Sequence, residues 1–267
     1  MNEDQDWVEG RVSLRIDGEP LNLRMTVPAK RVTIRRMLPV FQKMAGSVVG
    51  LSVNAVKSAG MSVSCKAGCG ACCRQAVPLS EPEAFEIAKL VERMPEGRKK
   101  VIKERFENAV KQLAESGWIT RLDNVVTAED EERERIVEDY FREGIPCPFL
   151  EDESCSIHPD RPIACREYLV TSPAEHCKSP FKGKVRGVPL VVKPSATLNN
   201  ISQTPNTEGA AGFVPLILAL RWAENFKEDG TRKSGEHWMA DFFTNLTKDS
   251  IPGFQGPSTD ADTKGQP

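Results

Sequence analysis

The residues best able to do chemistry in this chain are its eight cysteines, and they fall into two groups. Cys65, Cys69, Cys72 and Cys73 form the first; Cys147, Cys155, Cys165 and Cys177 form the second. Thiolates two or three residues apart on a tight turn can converge on one ion at ~2.3 Å. Gly68 and Gly70 give the backbone the freedom to turn around such an ion. A C-x3-C-x2-C run followed by a distant second group is what a four-thiolate zinc site or an iron–sulfur cluster requires. Neighbouring side chains diverge, so Cys72 and Cys73 rarely serve the same ion. Either they serve two metals, or one is a ligand and the other a free or redox-active thiol. Two four-thiolate sites fit the spacing as well as one site with four spectators.

Four thiolates on a divalent ion leave a net negative charge, which nearby guanidinium groups would offset; Arg161 and Arg166 are the candidates, with Arg74 beside the first group. His158 lies three residues past Cys155 and His176 directly precedes Cys177, so each is within reach of a mixed Cys/His site, although a packed structural role is the commoner fate of such residues. Glu167 and Glu175 are near enough in sequence to serve as a base, but nothing singles either out. No G-x-G-x-x-G after a strand, Walker A loop, H-E-x-x-H or C-x-x-C-H motif accompanies the cysteines.

Composition narrows the class. The chain of 267 residues is 39% hydrophobic, enough for a core without disulfide staples. With 36 basic against 38 acidic side chains, it lacks the clustered positive excess that nucleic-acid or anionic-membrane binding needs. Its longest apolar stretch, Phe213 to Leu220, is far short of the ~20 residues that span a bilayer. The acidic start Met1–Asp6 predicts no secretory signal, hence a cytoplasmic protein with reduced cysteines. The expected partner is therefore a metal ion.

The elements that must position the cysteines follow from periodicity. Residues 1–30 read as a hairpin: Val12, Leu14 and Ile16 alternate, Asp17-Gly18-Glu19-Pro20 turns, and Leu21, Leu23, Met25 and Val27 alternate again. A helix over 32–59 is expected, broken near Pro39 and stopped by Gly60. Ser80 and Glu83 form a capping box for the next helix, Pro95 opens another that Gly117 closes, and a third runs from Thr127 to Arg142. Residues 145–180 are rich in proline and predict little regular structure. An irregular stretch to about 212, two short helices near 214–227 and 235–247, and a disordered tail over 250–267 complete the reading. The expected fold class is α+β: a mainly α-helical single domain, with an N-terminal β-hairpin and a loop-rich cysteine metal site. In this division 31–249 is the helical cysteine-cluster domain, with its core motifs at 64–178.

The cysteine pattern resembles the YkgJ family of cysteine-cluster proteins. The family's C-x2-C-x2-C-C motif corresponds to Cys65, Cys69, Cys72 and Cys73, with one extra residue between the first two. Its C-P-F-L element corresponds to Cys147, Pro148, Phe149 and Leu150. The third motif, C-x-I-[Y/H]-x-x-R-P-x-x-C-R, is met by Cys155, Ile157, His158, Arg161, Pro162, Cys165 and Arg166, whereas Cys177 lies outside it. The resemblance implies zinc or iron chelation and no particular substrate. It also implies that His158 is not an obligatory ligand, since relatives carry tyrosine there. A similar cluster in flagellin lysine methylases sets the alternative: an iron–sulfur redox protein or a protein-modifying enzyme.

Overall fold

The computed structural model describes residues 6–16, 19–124, 130–205 and 213–248. Asp17 and Gly18 of the expected turn, Thr127–Glu129 at the start of the third predicted helix and the predicted tail lie outside them.

Strands β1 (Trp7–Ile16) and β2 (Glu19–Pro28) pair antiparallel, with Trp7 opposite Pro28 and Gly10 opposite Met25. Met25 and Val27 reach the main core, where they meet Leu38, Phe41, Met44 and Val48 of α1 (Leu38–Ser58). Pro39 starts this helix rather than breaking it. It occupies the first turn, where a backbone N–H would have no intrahelical partner. Ahead of it, Val32–Thr33 (β3) is a short strand, not helix, because Arg232–Lys233 offers a partner 200 residues away that no local pattern announces. Gly60 does end α1, in the left-handed region at φ 74°.

Between α1 and the helices that follow comes the first cysteine segment, and then β4 (Pro78–Leu79). Helix α2 (Glu81–Glu92) carries the full capping box of Ser80 and Glu83. Helices α3 (Glu96–Glu115), α4 (Trp118–Asn124) and α5 (Asp130–Glu143) follow; α4 is short enough to escape the periodicity test. Ile102 and Phe106 of α3 pack with Leu79 and Ile87, while Leu113, Trp118, Ile136 and Tyr140 form a separate cluster. Trp118 and Tyr140 meet edge to face at 5.6 Å.

The stretch expected to be irregular is built of short regular pieces. β5 (Leu150–Glu151) and β6 (Ser154–Cys155) form a hairpin whose turn residues, Asp152 and Glu153, both have positive φ. That is the backbone a tight two-residue hairpin demands, supplied here without asparagine or glycine. Helix α6 (Ile163–Glu167) and, within the stretch read as irregular, α7 (Pro194–Ile201) were not signalled by any long period. α7 is nonetheless capped: the Ser195 N–H and hydroxyl both donate to the Glu167 carboxylate, at 2.8 and 2.5 Å.

β7 (Val214–Pro215) pairs with β4, α8 (Ala219–Asn225) packs on α2, β8 (Arg232–Lys233) closes the pair with β3, and α9 (Gly235–Lys248) seals the main core through Trp238, Met239, Phe242 and Leu246. Phe242 stacks on Phe41 with ring centres 4.8 Å apart. The result is a mainly helical α+β chain with small antiparallel strand pairs.

Candidate metal centre

The first cysteine segment is a turn tied at several points. The Ser64 N–H donates to the Val170 carbonyl at 2.9 Å, and the Val170 N–H donates back to Cys65 Sγ at 3.3 Å. Gly68, at φ 81°, holds a conformation that L side chains rarely adopt, and its N–H donates to Ser154 Oγ at 3.0 Å. Gly70 is small for a different reason. A Cβ there would lie 2.6 Å from Leu150 Cδ1 and 2.7 Å from Glu153 Oε2, so the β5–β6 hairpin can approach only a glycine. Residues Ala71–Arg74 then form a 3-10 turn carrying Cys72 and Cys73.

The second segment docks onto that turn. The Cys147 N–H donates to the Cys73 carbonyl at 2.7 Å, and the Leu150 N–H donates to the Cys147 carbonyl at 2.9 Å. Register places Cys155 opposite Leu150 in the hairpin. Arg105 of α3 fastens this segment from behind, donating to the Pro148 carbonyl at 3.1 Å and to Glu151 at 2.9 Å. Cys165 rides on α6, whose first N–H, at Ile163, donates to Glu83 Oε1 at 2.8 Å. Glu83 Oε2 meanwhile accepts from the Ser80 N–H and hydroxyl. The carboxylate that caps α2 therefore also fixes the helix bearing a cysteine. Its capping-box spacing was legible in the sequence; its reach to Ile163 was not. Cys177 sits on a 3-10 turn, Ala174–Lys178, that packs against the Ala71–Arg74 turn.

All eight cysteines are free thiols and line one cavity of about 530 Å³. No disulfide joins any of them in this structure. Their sulfurs surround this space rather than meeting at a point: no three His, Cys, Asp or Glu side chains among the described residues are gathered tightly enough to hold an ion as they stand. His158 and Arg161 also line the cavity, as do Gln75 and Tyr168, which no sequence signal marked. His176 turns away, its Nδ1 3.1 Å from the Lys184 carbonyl oxygen.

The arginines divide. Arg161 faces the thiols, and its Nε is buried without a hydrogen-bond partner. Such a donor calls for an anionic neighbour. Arg166 donates instead to the Arg161 and Pro159 carbonyls, at 2.8 and 2.5 Å. It shapes the loop that presents Arg161. Arg74 bridges to Glu153 at 2.7 Å and to the Gly70 carbonyl at 2.9 Å, locking the first segment to the hairpin turn.

Electrostatics set the thiols apart. Burial pushes Cys147 up to about 12, with the Cys155 and Cys72 sulfurs adding to the effect, and it raises Cys165 further still. Cys72 moves the other way, because the Cys73 thiol donates to it and Arg161 favours its charge; Cys73 rises correspondingly. The Arg161 charge, and then burial, lower His158 and so favour the neutral imidazole.

Eight soft sulfur donors around one chamber, an arginine Nε–H buried beside them without a partner, and no disulfides form a donor set suited to zinc or iron. Comparison with family models agrees. Residues 64–182 match the CxxCxxCC family, described as a "putative zinc- or iron-chelating domain". The match covers somewhat less than half of the chain and extends through Cys177. Metal binding is the general function that the domain supports. No curated protein and no solved structure matches the chain. No helix among the described residues is long and apolar enough to cross a membrane.

Proposed function

We propose that this protein binds zinc or iron through thiolates from both cysteine segments, with Cys65, Cys69, Cys72, Cys73, Cys147, Cys155, Cys165 and Cys177 as the ligand pool. One observation carries the reading: every cysteine in the chain, from segments about 80 residues apart, lines the same cavity. Bound metal would hold these thiols as thiolates despite the burial that otherwise keeps them protonated. Arg161 would then direct its unpartnered Nε–H at the sulfurs, while Arg166 keeps its loop in place. Eight unpaired cysteines suit a reducing compartment such as the cytoplasm. The near-neutral charge balance supports a metal ion, not a nucleic acid, as partner.

A second reading, an iron–sulfur protein with redox or protein-modifying activity, draws support from an open groove of about 810 Å³ that meets the cysteine cavity at Cys69. A side chain presented by a substrate protein would have room there.

The deciding experiment is metal analysis with an ultraviolet–visible spectrum on protein purified without oxygen. Stoichiometric zinc or iron, lowered in both Cys69→Ser and Cys147→Ser, supports chelation by the two segments together. Iron with acid-labile sulfide and a broad visible band favours the second reading. Folded protein that retains neither metal would overturn both.

A further inference from the structure

The groove that meets the cysteine cavity at Cys69 differs from it in chemistry. Three stretches of chain wall it: the first cysteine segment, the end of α5, and the 3-10 turns Ala174–Lys178 and Pro180–Lys182. Phe181 of the last turn meets Phe141 of α5 edge to face at 6.0 Å and is still 41% exposed. It leaves an apolar spot open to solvent on an otherwise polar wall.

The charges on these walls do not balance. Arg74 engages Glu153, and Arg142 engages Glu138. Lys66, Lys178 and Lys182 are exposed and make no ion pair among the described residues. Of the groove's carboxylates, that leaves Glu175 against three lysines. Lys184 and Arg186 continue the trend, so that 178–186 holds four cations and no acid in a chain of net charge −2. A surplus of one sign along a concave wall focuses its field into the groove.

An occupant must therefore bring negative charge and an apolar group. A volume of about 810 Å³ suits several side chains, not a single small ion. A nucleic-acid strand carries a charge at every phosphate and would press some of them on Glu138, Glu153 and Glu175. A peptide can set its carboxylates opposite the lysines alone and lay an apolar side chain on Phe181.

We propose that the groove docks an acidic peptide segment of a partner protein, with carboxylates on Lys66, Lys178 and Lys182 and an apolar side chain on Phe181. The segment runs past Cys69, which brings the partner to the mouth of the cysteine cavity. This goes beyond chelation and specifies no metal.

The test is fluorescence anisotropy of a labelled glutamate–leucine peptide titrated with the full-length chain, with metal content and circular dichroism recorded for every variant. Binding that weakens as salt is raised is expected. Reversing the charge of one wall with Lys178→Glu and Lys182→Glu together should weaken it about tenfold or more, because attraction becomes like-charge repulsion. Lys66→Glu, from the other wall, should weaken it less, and Phe181→Ser should weaken it without changing its salt dependence. Lys43→Glu, exposed on α1 and outside the groove, should bind as wild type does. Metal content should stay level throughout. Unchanged affinity in the double variant, equal binding of a lysine–leucine peptide, or loss of binding only where metal is lost would overturn the proposal. So would tighter binding of a labelled oligonucleotide that the double variant abolishes, which would give the groove to nucleic acid. A dimer that the double variant dissociates would give it to a second copy of the chain instead.

Discussion

The two cysteine segments meet at one cavity but are held there by different forces. Between Cys147 and Cys165 the chain is nailed into the apolar interior by Phe149, Ile157 and Ile163, with Ile145 just ahead. Between Cys65 and Arg74 no apolar side chain is buried, and the fold is maintained by glycines, backbone hydrogen bonds and the Arg74–Glu153 pair. The difference teaches which segment forms a template and which needs something to complete it. The second keeps its shape by packing; the first would gain the most from bound metal.

Substitution at Phe149 tests the packed side most severely. It is 1% exposed and meets Phe106 edge to face at 5.5 Å. Phe149→Ala should cost about 3–5 kcal/mol through the cavity it leaves. Thermal unfolding of wild type and variant reads this directly. A loss as small as those expected in the first segment would erase the distinction drawn here.

Glu83 comes next. Removing it in Glu83→Ala strands the Ser80 and Ile163 N–H groups, each an unmet buried donor worth about 1–3 kcal/mol. The start of α6, and Cys165 with it, should loosen, read as faster amide exchange over 163–167. Burial, partly opposed by these hydrogen bonds, holds the Glu83 carboxyl above the ordinary glutamate range. Its raised native pKa makes its contribution to stability greatest at acidic pH, and that contribution declines as pH rises through the native value. Wild type should therefore lose stability relative to Glu83→Gln over that rise, measured by denaturant unfolding at a series of pH values.

These two residues also mark how far sequence alone reaches. The capping box was plain from spacing, as were the hairpin strands, the helices with strong three-and-four periodicity, and the cysteine motifs within the matched segment. What escaped depends on distance or brevity. The β3–β8 pairing joins Val32 to Lys233, and two-residue strands leave no periodic trace. Short helices such as α4 and α7 do not fill a periodicity window. Within the site, Arg161 and Arg166 look alike in sequence, yet one faces the thiols and the other binds carbonyls. Gly70 looked like a turn residue; a Cβ there would lie 2.6 and 2.7 Å from Leu150 and Glu153, which makes it a contact residue.

That contact gives the sharpest probe of the first segment. Gly70→Ala drives a Cβ into Leu150 and Glu153, an overpacking cost of about 1–3 kcal/mol. The hairpin and the cysteine turn should separate, so zinc or iron content should fall by more than the loss in stability explains. Metal content normal at full occupancy would mean that the two segments need not touch to share the site.

The smallest effect belongs to Arg74. Its partner Glu153 is about half exposed, and such pairs contribute roughly 0.2–1 kcal/mol, screened by salt. Arg74→Met should therefore barely move the unfolding midpoint, and the small difference from wild type should vanish at high ionic strength. Its effect should instead be confined to the first segment: faster amide exchange at Gly68 and Cys73, whose N–H groups bond Ser154 and Gly70, with the amides of Cys147 and Leu150 following only as Cys73 moves. If bound metal is the principal restraint on this segment, the exchange difference should be large in the metal-free chain and nearly absent in the loaded one. An equal difference in both forms would mean that the ion pair, not the metal, holds the turn in place.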